Sequence, residues 1–236
     1  MNSTRRVVVT GLGAITPLGS TISETWERIL RSSSGATQAI QEGIGITSLE
    51  SALKAQQLTE EQFDREWSIA KHLPCQVAAA VQHPIPSDGR ASRFVQLALH
   101  ATKEAAMQAQ LYTLMNLPLD DVTIDCENDK GKDCVVPHEA QIRARAGVCI
   151  GTGMSSVRDV SNSSILLYNP SDVPPTKRIR TMSPYFVPKV LPNSASGWVS
   201  IRYQLGGPVL SPTTACGKFY LQLTCSRIVV GPHRLQ

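Results

Sequence analysis

The strongest chemical signal in this chain is a cysteine in a turn of small residues near its carboxyl end. The turn is the run Gly206-Gly207-Pro208-Val209-Leu210-Ser211-Pro212-Thr213-Thr214-Ala215-Cys216-Gly217. A strand that delivers a cysteine to a helix start places the sulfur near free backbone N–H groups and the positive end of the helix dipole, and both favour the thiolate. The pattern predicts that Cys216 is a nucleophile, with a buried structural cysteine as the alternative.

Other patterns in the sequence predict neither a nucleotide site nor a metal site. Gly-x-Gly follows an apolar run at 11–13 and at 151–153, but Thr16 and Ser156 stand where a dinucleotide fingerprint needs its third glycine. These segments are therefore predicted to be tight turns. The acidic stretch 125–136 is spaced almost like a calcium loop, but its glycine comes one place late and Val136 replaces the bidentate glutamate. No Cys-x-x-Cys and no paired histidine spacing occurs.

Composition and charge exclude several classes of partner. The chain has 236 residues, 42% of them hydrophobic and 18% charged, as in an ordinary folded protein. Its net charge is +4, and its one basic cluster, Lys177-Arg178-Ile179-Arg180, is too short to predict nucleic-acid binding. No run of 18 apolar residues predicts a membrane span. The absence of a secretory signal and of paired cysteines predicts a cytoplasmic protein.

Several elements are predicted before the acidic stretch. The apolar start of the chain predicts a buried strand at Arg5–Thr10. A capping-box pattern predicts a helix at Thr21–Arg31, with Trp26, Ile29 and Leu30 on its apolar face. Residues 58–72 are ambiguous, and a strand is predicted at Cys75–Val81. The clearest helix is Ser92–Gln110, which is rich in alanine at helical spacing.

The second part of the chain alternates strands and helices around the predicted nucleophile. We expect a surface loop at Pro118–Gln141 and an extended, Pro-rich segment at Ser171–Pro192. The remaining predicted elements are strands at Gly147–Ile150 and Val209–Ser211, and helices at Ser155–Tyr168 and Ser194–Leu205, the last with Trp198, Ile201 and Leu205 inward. This alternation predicts an α/β fold in layers. Cys75 and Cys149, both in apolar runs, are expected to be small buried hydrophobic residues.

Four sequence blocks, in order, resemble the β-ketoacyl-acyl-carrier-protein synthase family, close to its bacterial type II and mitochondrial forms. They are Arg5–Gly13 with Thr16-Pro17-Leu18-Gly19, Ile150-Gly151-Thr152-Gly153, Ser183-Pro184-Tyr185-Phe186-Val187-Pro188, and Val199–Tyr203 continuing through Gly207-Pro208 to Thr214-Ala215-Cys216. The resemblance implies a thiolase-like fold, layered α-β-α-β-α, of which this chain is an incomplete N-terminal half. It implies a synthase domain at 1–216 with an insertion at 118–141, and leaves 217–236 as a divergent tail.

The resemblance also implies a chemistry and its partners. Cys216 accepts an acyl group from the phosphopantetheine of acyl carrier protein. Malonyl-carrier protein then loses carbon dioxide, and its carbanion attacks the acyl thioester. Met154 follows the Gly-Thr-Gly block and is expected to line the acyl pocket. No resident cofactor and no metal are implied, and the expected assembly is a homodimer or a dimer with a full-length relative.

The sequence departs from the family after Cys216, and this limits the expected activity. The family's two catalytic histidines, its lysine and its Gly-Phe-Gly-Gly loop have no counterpart in 217–236. A positioned acid or base raises the reaction rate roughly 10²–10⁴-fold, and a hydrogen-bond donor to the oxyanion raises it roughly 10²–10³-fold. We therefore expect a truncated chain, inactive alone except for slow self-acylation. The alternative is a non-catalytic chain that dimerises with a full-length synthase or binds acyl carrier protein. A lost upstream presequence would make it mitochondrial.

Overall fold

The computed structural model describes residues 8–31, 46–54, 58–81, 83–85, 89–115, 137–168 and 174–213. The chain divides into two compact units. The first unit is Met1–Pro86 with His100–Ala109, and the second unit is Ser87–Leu99 with Gln110–Gln236. In the described ranges, short strands form one two-stranded sheet in each unit, and helices supply most of the structure.

The helices and strands are numbered in chain order. The helices are α1 Ile22–Arg31, α2 Leu49–Lys54, α3 Glu60–Ala70, α4 Arg93–Gln108, α5 Leu111–Met115, α6 Pro137–Arg145, α7 Val157–Tyr168, α8 Pro175–Thr181, α9 Phe186–Val190 and α10 Ser194–Arg202. The strands are β1 Thr47–Ser48, β2 Val77–Ala78, β3 Val148–Cys149 and β4 Val209–Leu210. The α/β character is thus present, while the five-layer thiolase-like arrangement stays a prediction.

In the first unit, a small antiparallel sheet contacts α2, which in turn contacts α3. Strand β1 pairs with β2, with Thr47 opposite Ala78 and Ser48 opposite Val77. The ambiguous segment 58–72 contains helix α3, whose start is fixed by a full capping box between Thr59 and Gln62. The predicted strand Cys75–Val81 shortens to β2. Cys75 is exposed, which contradicts its expected burial, because it precedes the paired residues of that strand.

The prediction of a buried strand at Arg5–Thr10 is wrong for residues 8–10, which are the part of it that the structure describes. Val8 and Val9 are 67% and 78% exposed, and residues 8–10 belong to no strand. No strand in the described part of the chain pairs with them. The segment that follows lies along α4, where the N–H of Leu12 donates to the side chain of Gln108 and the N–H of Ala14 to Glu104, 2.9 Å away. Helix side chains thus accept hydrogen bonds that a neighbouring strand would have accepted.

Helix α1 forms as predicted, but its buried side is not the apolar face. Trp26 is 59% exposed and Leu30 is 68% exposed, whereas Thr25 is only 7% exposed. The Thr25 hydroxyl donates to the carbonyl of Thr21 at 2.8 Å and lies 3.0 Å from the hydroxyl of Thr16. These polar contacts fix the helix on its threonine side, which leaves the apolar face outward.

In the second unit, the predicted strands at 147–150 and 209–211 form a parallel pair. Val148 lies opposite Val209 and Cys149 opposite Leu210. Helix α10 contacts both strands through small side chains, with Ala195, Ser196 and Val199 buried. Ile201, predicted to face inward, is 64% exposed. The correction follows from packing, because the small residues of the opposite face allow a close approach to the strands. Cys149 is half-buried, so its expected burial is met in part.

Two predicted irregular segments contain helices. The segment expected to be extended at 171–192 includes α8, which begins with Pro175 at a first-turn position, and α9. Proline is compatible with the first turn of a helix, where its missing N–H has no intrahelical partner. The expected loop 118–141 lies outside the described residues up to 136, and its last residues instead start α6. Within the ranges that are described, no helix is long and apolar enough to cross a membrane.

Candidate active site

The carboxyl ends of β3 and β4 meet at one edge of their sheet, because the two strands are parallel. Their hydrogen bonds continue beyond the strands. The N–H of Ile150 donates to Leu210 at 3.1 Å, and the N–H of Thr152 donates to Pro212 at 3.3 Å. The Gly-Thr-Gly turn therefore lies beside the chain that leads towards Cys216. In open α/β sheets, ligands bind outside the carboxyl ends of the strands.

A third segment is fixed to this edge through one carbonyl group. The hydroxyl of Thr152 donates to the carbonyl oxygen of Pro192 at 2.8 Å, and the hydroxyl of Ser211 lies 3.1 Å from the same oxygen. Pro192 precedes α10, so both strand ends are joined to the start of the helix that packs on them. We call these three residues, Thr152, Pro192 and Ser211, the Pro192 tie.

Two glycines explain how the chain enters β4. The N–H of Gly206 donates to Arg143 at 2.9 Å, and the N–H of Gly207 donates to Ala146 at 3.0 Å. A Cβ atom on Gly207 would lie 2.5 Å from the carbonyl oxygen of Ala146. Only glycine lets the backbone approach this closely, so the Gly-Gly pair fixes where β4 starts relative to the end of α6. Gln204, just before it, has a φ of 51° and pairs its side chain with Arg143.

Two groups of the second unit have pKa values that differ from their ordinary ones. Burial raises the pKa of the Tyr203 hydroxyl, and its hydrogen bond with Tyr112, 3.1 Å away, raises it further. The two rings meet edge to face, with centroids 5.9 Å apart. Burial also lowers the pKa of the Arg93 guanidinium, with the positive charge of Arg158 as a second cause. Tyr203 therefore stays neutral and acts as a packed hydroxyl.

The structure places one of the two sequence-predicted site residues. Met154 lies in the turn after β3 and is 70% exposed, so its side chain is available to a ligand. Cys216 lies outside the described residues, which end at Thr213 in this part of the chain. The predicted nucleophile and the predicted pocket residue thus remain predictions, although the strands that precede them are paired.

Sequence reasoning missed Thr152, Pro192 and Ser211. Thr152 stands between two glycines and Ser211 stands before a proline, and those positions at strand ends were the available signal; Pro192 had none. The acidic stretch at 125–136, which is expected to be a solvated loop, lies outside the described residues. Among the residues that are placed, no cluster of three or more His, Cys, Asp or Glu side chains could hold a metal ion. The rings of His83 and His100 do pair, with centroids 5.2 Å apart.

Comparison with known proteins gives consistent matches along most of the chain. A family model described as "Beta-ketoacyl synthase, N-terminal domain" matches residues 4–229. A Saccharomyces cerevisiae protein named 3-oxoacyl-[acyl-carrier-protein] synthase homolog is 35% identical over 217 residues, which are 90% of this chain and 42% of that protein. The Arabidopsis thaliana mitochondrial 3-oxoacyl-[acyl-carrier-protein] synthase is 31% identical over 215 residues, 91% of this chain and 40% of that protein.

A bacterial relative shows the same extent of similarity. The 3-oxoacyl-[acyl-carrier-protein] synthase 2 of Staphylococcus aureus strain N315 is 28% identical over 218 residues, 92% of this chain and 40% of that protein. The chain therefore spans about two fifths of the length of these relatives. A solved complex of a type II PKS acyl-carrier protein with its ketosynthase aligns over 89% of this chain and 42% of that chain, with 15% identity and a TM-score of 0.44.

Proposed function

The chain belongs to the beta-ketoacyl synthase family, as part of its N-terminal domain, and from this premise we propose that Cys216 is the acyl-accepting nucleophile of a 3-oxoacyl-[acyl-carrier-protein] synthase. The observation that carries this function is the family match, which runs from residue 4 to residue 229 and so includes Cys216. The relatives named as such synthases support the same reaction class.

The proposed reaction has two steps. In the first, the Cys216 thiolate attacks the carbonyl carbon of an acyl thioester on the phosphopantetheine of acyl carrier protein. A new sulfur–carbon bond forms, and the carrier thiolate leaves and takes a proton from water. In the second, malonyl-carrier protein loses carbon dioxide, and the electron pair left on its α-carbon attacks the acyl-cysteine. The Cys216 thiolate then leaves, and the product is a 3-oxoacyl thioester.

The geometry of the described edge is compatible with this role. Backbone hydrogen bonds hold the chain as far as Pro212, four residues before Cys216, against the turn at Thr152. Met154, which follows this turn, is exposed, and an unbranched thioether side chain adapts to an acyl chain. We assign Met154 to the wall of the acyl site. No resident cofactor is part of this function, because the acyl group arrives on the carrier protein.

For the chain as given, we limit the proposed activity to the first step. The tail 217–236 contains one histidine, His233, in a sequence that does not match the family's catalytic histidines. The second step needs a positioned acid or base, which raises the rate roughly 10²–10⁴-fold. It also needs hydrogen-bond donors to the oxyanion, each of which raises the rate roughly 10²–10³-fold. Acylation of Cys216 without measurable condensation is therefore the expected behaviour of this chain.

A labelling experiment tests the proposed nucleophile. The purified chain is incubated with acyl-carrier protein that bears a labelled acyl group, and peptide mass spectrometry locates the adduct. We expect the acyl mass on the peptide with Cys216 and its loss in Cys216→Ser. The control Cys225→Ser, in the same tail, keeps the adduct. A folded chain that carries no acyl group on Cys216 would contradict the proposed role.

A second function is favoured by exposed apolar side chains in the second unit. They lie on α7, namely Val157, Val160, Ile165, Leu166 and Tyr168. Exposed apolar patches mark association surfaces, so the alternative is a non-catalytic chain that dimerises with itself or with a full-length synthase, or that holds acyl carrier protein. Light scattering of the chain alone and with carrier protein distinguishes these states. Stable binding without any acyl transfer favours the alternative.

The proposed compartment rests on the sequence, and a relative supplies the alternative. The Arabidopsis relative is named mitochondrial, and the sequence predicts a cytoplasmic protein. We propose the cytoplasm, with the mitochondrion as the alternative. Fractionation of cells that express the native gene, followed by detection with an antibody against 194–202, decides between them.

A further inference from the structure

We propose that helix α1 presents a contact surface for a second copy of this chain, and that the two α1 helices pack there antiparallel. The surface consists of Trp26, Ile29 and Leu30, and we call it the α1 face. It belongs to the first unit, whereas Met154 and helix α7 belong to the second. The proposal goes beyond acyl transfer and does not depend on it.

The orientation of α1 follows from the contacts of its other side. Thr25 is buried, and its hydroxyl lies 3.0 Å from the hydroxyl of Thr16. The N–H of Ile22, at the start of the helix, donates to the carboxylate of Glu104 at 2.9 Å. These hydrogen bonds attach α1 to its own unit through polar groups, so the apolar side chains are available for another contact.

The three apolar side chains form one exposed patch. Residues 26, 29 and 30 are spaced as i, i+3 and i+4, so they are neighbours on the helix surface. An amphipathic helix ordinarily turns such a patch towards the core of its protein. Here even Ile29, the least exposed of the three, is 46% exposed. A contiguous exposed apolar patch of this kind indicates an interaction site.

The charges of α1 decide which partner fits. Glu24 and Glu27 precede Arg28 and Arg31 along the helix. Because the two signs are balanced, no net charge on this helix attracts an acidic protein or an anionic membrane. A reversed copy of the same helix is attracted, since its basic end lies beside the acidic end of the first. The dipoles of two antiparallel helices are complementary in the same way.

One pair of charges borders the α1 face directly. Glu27 stands three residues before Leu30 and is therefore its neighbour on the helix surface. Arg31 lies one turn after Glu27, and the two exposed side chains form an ion pair at 3.5 Å. A two-fold axis across the α1 face makes the contact isologous. It brings Glu27 of each copy towards Arg31 of the other.

The size of the surface predicts a weak association. Stable complexes bury roughly 800 Å² on each partner, which is more than one short helix face provides. We expect a dissociation constant of about 10–100 µM, so that the chain is a monomer at about 1 µM and partly dimeric at about 200 µM.

Sedimentation velocity of the full chain across this concentration range tests the proposal. We expect Leu30→Asn to raise the dissociation constant at least about tenfold, because a polar side chain replaces an apolar one in the centre of the contact. Leu30 is exposed, so the fold should be kept, and thermal unfolding of each variant checks this.

A charge swap tests the antiparallel arrangement. Glu27→Arg and Arg31→Glu should each weaken the dimer about fivefold, because each places like charges opposite each other twice across the two-fold axis. The double variant should associate like the unchanged chain, since it restores both opposite-charge pairs. The matched control is the exposed ion pair of Glu50 and Lys54 in α2, which has the same i, i+4 spacing. Glu50→Arg should leave the dissociation constant unchanged.

Two further measurements identify what covers the α1 face. Val160→Asn changes an exposed apolar residue of α7, which is the other candidate surface, and should leave this association unchanged. Acrylamide quenching, compared between the unchanged chain and Trp26→Phe, reports whether Trp26 is open to solvent. We expect Trp26 to be quenched freely at the low end of the concentration range and to be shielded at the high end.

The outcomes are distinct. A chain that stays monomeric at the highest concentration overturns the proposal, and so does a dimer that Val160→Asn dissociates but Leu30→Asn does not. A monomer in which Trp26 is already shielded shows that another part of this chain covers the α1 face, which also overturns it. A double charge variant as weak as the single variants overturns the antiparallel arrangement. A dimer that responds to the α1 variants as expected supports the proposal whether or not Cys216 is acylated.

Discussion

Two turns of the form Gly-x-Gly, at 11–13 and 151–153, follow similar apolar runs but are held in different ways. The run before 151–153 forms β3, which pairs with β4 in parallel. The described residues of the other run, 8–10, are exposed, and the turn at 11–13 that follows them lies along α4. The first turn is held by a helix and the second by a strand.

The difference lies in what accepts the backbone hydrogen bonds. After the first run, a single carboxylate, Glu104, accepts from the N–H groups of Ala14 and Ile22, each at 2.9 Å. After the second run, carbonyls at the exit of β4, such as that of Leu210, accept instead. The backbone after each run thus finds hydrogen-bond partners, and elements distant in sequence decide what those partners are.

The largest expected effect comes from filling the space between the first turn and α4. A Cβ atom on Gly13 would lie 2.0 Å from the carbonyl oxygen of Ala101 and 2.7 Å from the nitrogen of Ala105. Both are helix backbone atoms and cannot rotate away. We expect Gly13→Ala to lower the free energy of unfolding by about 3 kcal/mol, measured by urea denaturation.

Two matched glycines sharpen this prediction. Gly207→Ala, in the second region, meets the Ala146 carbonyl oxygen at 2.5 Å, so its effect should be similar in sign but smaller. Gly89→Ala meets nothing within 4 Å and should be neutral or stabilise by about 0.5 kcal/mol. If Gly13→Ala were as harmless as Gly89→Ala, the first turn would not lie against α4 and the comparison would fail.

The next largest effect should come from Glu104→Ala. This change removes the shared acceptor of Ala14 and Ile22 and should cost about 1–3 kcal/mol, since it leaves part-buried N–H groups without that partner. Amide hydrogen exchange should speed up at both residues. Gln108→Ala, one turn further along α4, removes the acceptor of a single exposed N–H and should cost less. Equal effects of the two variants would show that Glu104 has no special role.

The sequence predicted elements best where local chemistry decides the structure. The alanine-rich α4 and the strands β3 and β4 appear, and so do α7 and α10. Helix α3 could have been predicted as well, because Thr59 and Gln62 already form a capping-box pattern in the sequence. Prolines in 171–192 suggested extended chain, although Pro175 is compatible with the first turn of α8.

The sequence failed where contacts between distant segments decide. The outward apolar face of α1 depends on the contact between Thr16 and Thr25, which no periodicity predicts. The site shows the same division. Cys216 and Met154 were predicted from motifs, whereas the hydrogen bond from Thr152 to Pro192, across 40 positions of sequence, is visible only in the structure.

A smaller effect is expected from the tyrosine pair of the second unit. Burial and the hydrogen bond with Tyr112 raise the pKa of Tyr203, so the folded chain keeps this proton more tightly than the unfolded chain. The stabilisation is therefore full below the unfolded pKa of about 10 and is lost as pH rises above it. We expect Tyr112→Phe to cost about 1 kcal/mol at neutral pH.

Urea denaturation at pH 8, 10 and 11, together with the absorbance of tyrosinate near 295 nm, checks the tyrosine prediction. The exposed Tyr185→Phe is the matched control and should leave the free energy of unfolding unchanged. A Tyr203 hydroxyl that ionises near pH 10 in the folded chain would show that it is not buried against Tyr112.

The smallest effect is expected for the Glu24 carboxyl at the start of α1, in the first region. Its pKa is lowered, so its pH dependence is opposite to that of Tyr203. The N–H of Ser20, 2.8 Å away, and then its hydroxyl, 3.0 Å away, lower the pKa of the Glu24 carboxyl. A lowered pKa gives stabilisation that is present above the unfolded value of about 4.3 and is lost as pH falls through the folded value. The carboxyl is fully exposed, so we expect a shift in its titration and no resolvable change in stability.

Carboxyl-carbon NMR titration of Glu24 measures this shift. Ser20→Ala removes the hydroxyl donor but keeps the backbone donor, so the pKa should move only part of the way back. Ser68→Ala removes a hydroxyl that donates to the carbonyl oxygen of Arg65 elsewhere in the first unit, and it should leave the Glu24 pKa unchanged. If Glu24 titrates at the same pH in Ser20→Ala and in the unchanged chain, the backbone N–H of Ser20 lowers the Glu24 pKa without help from the Ser20 hydroxyl.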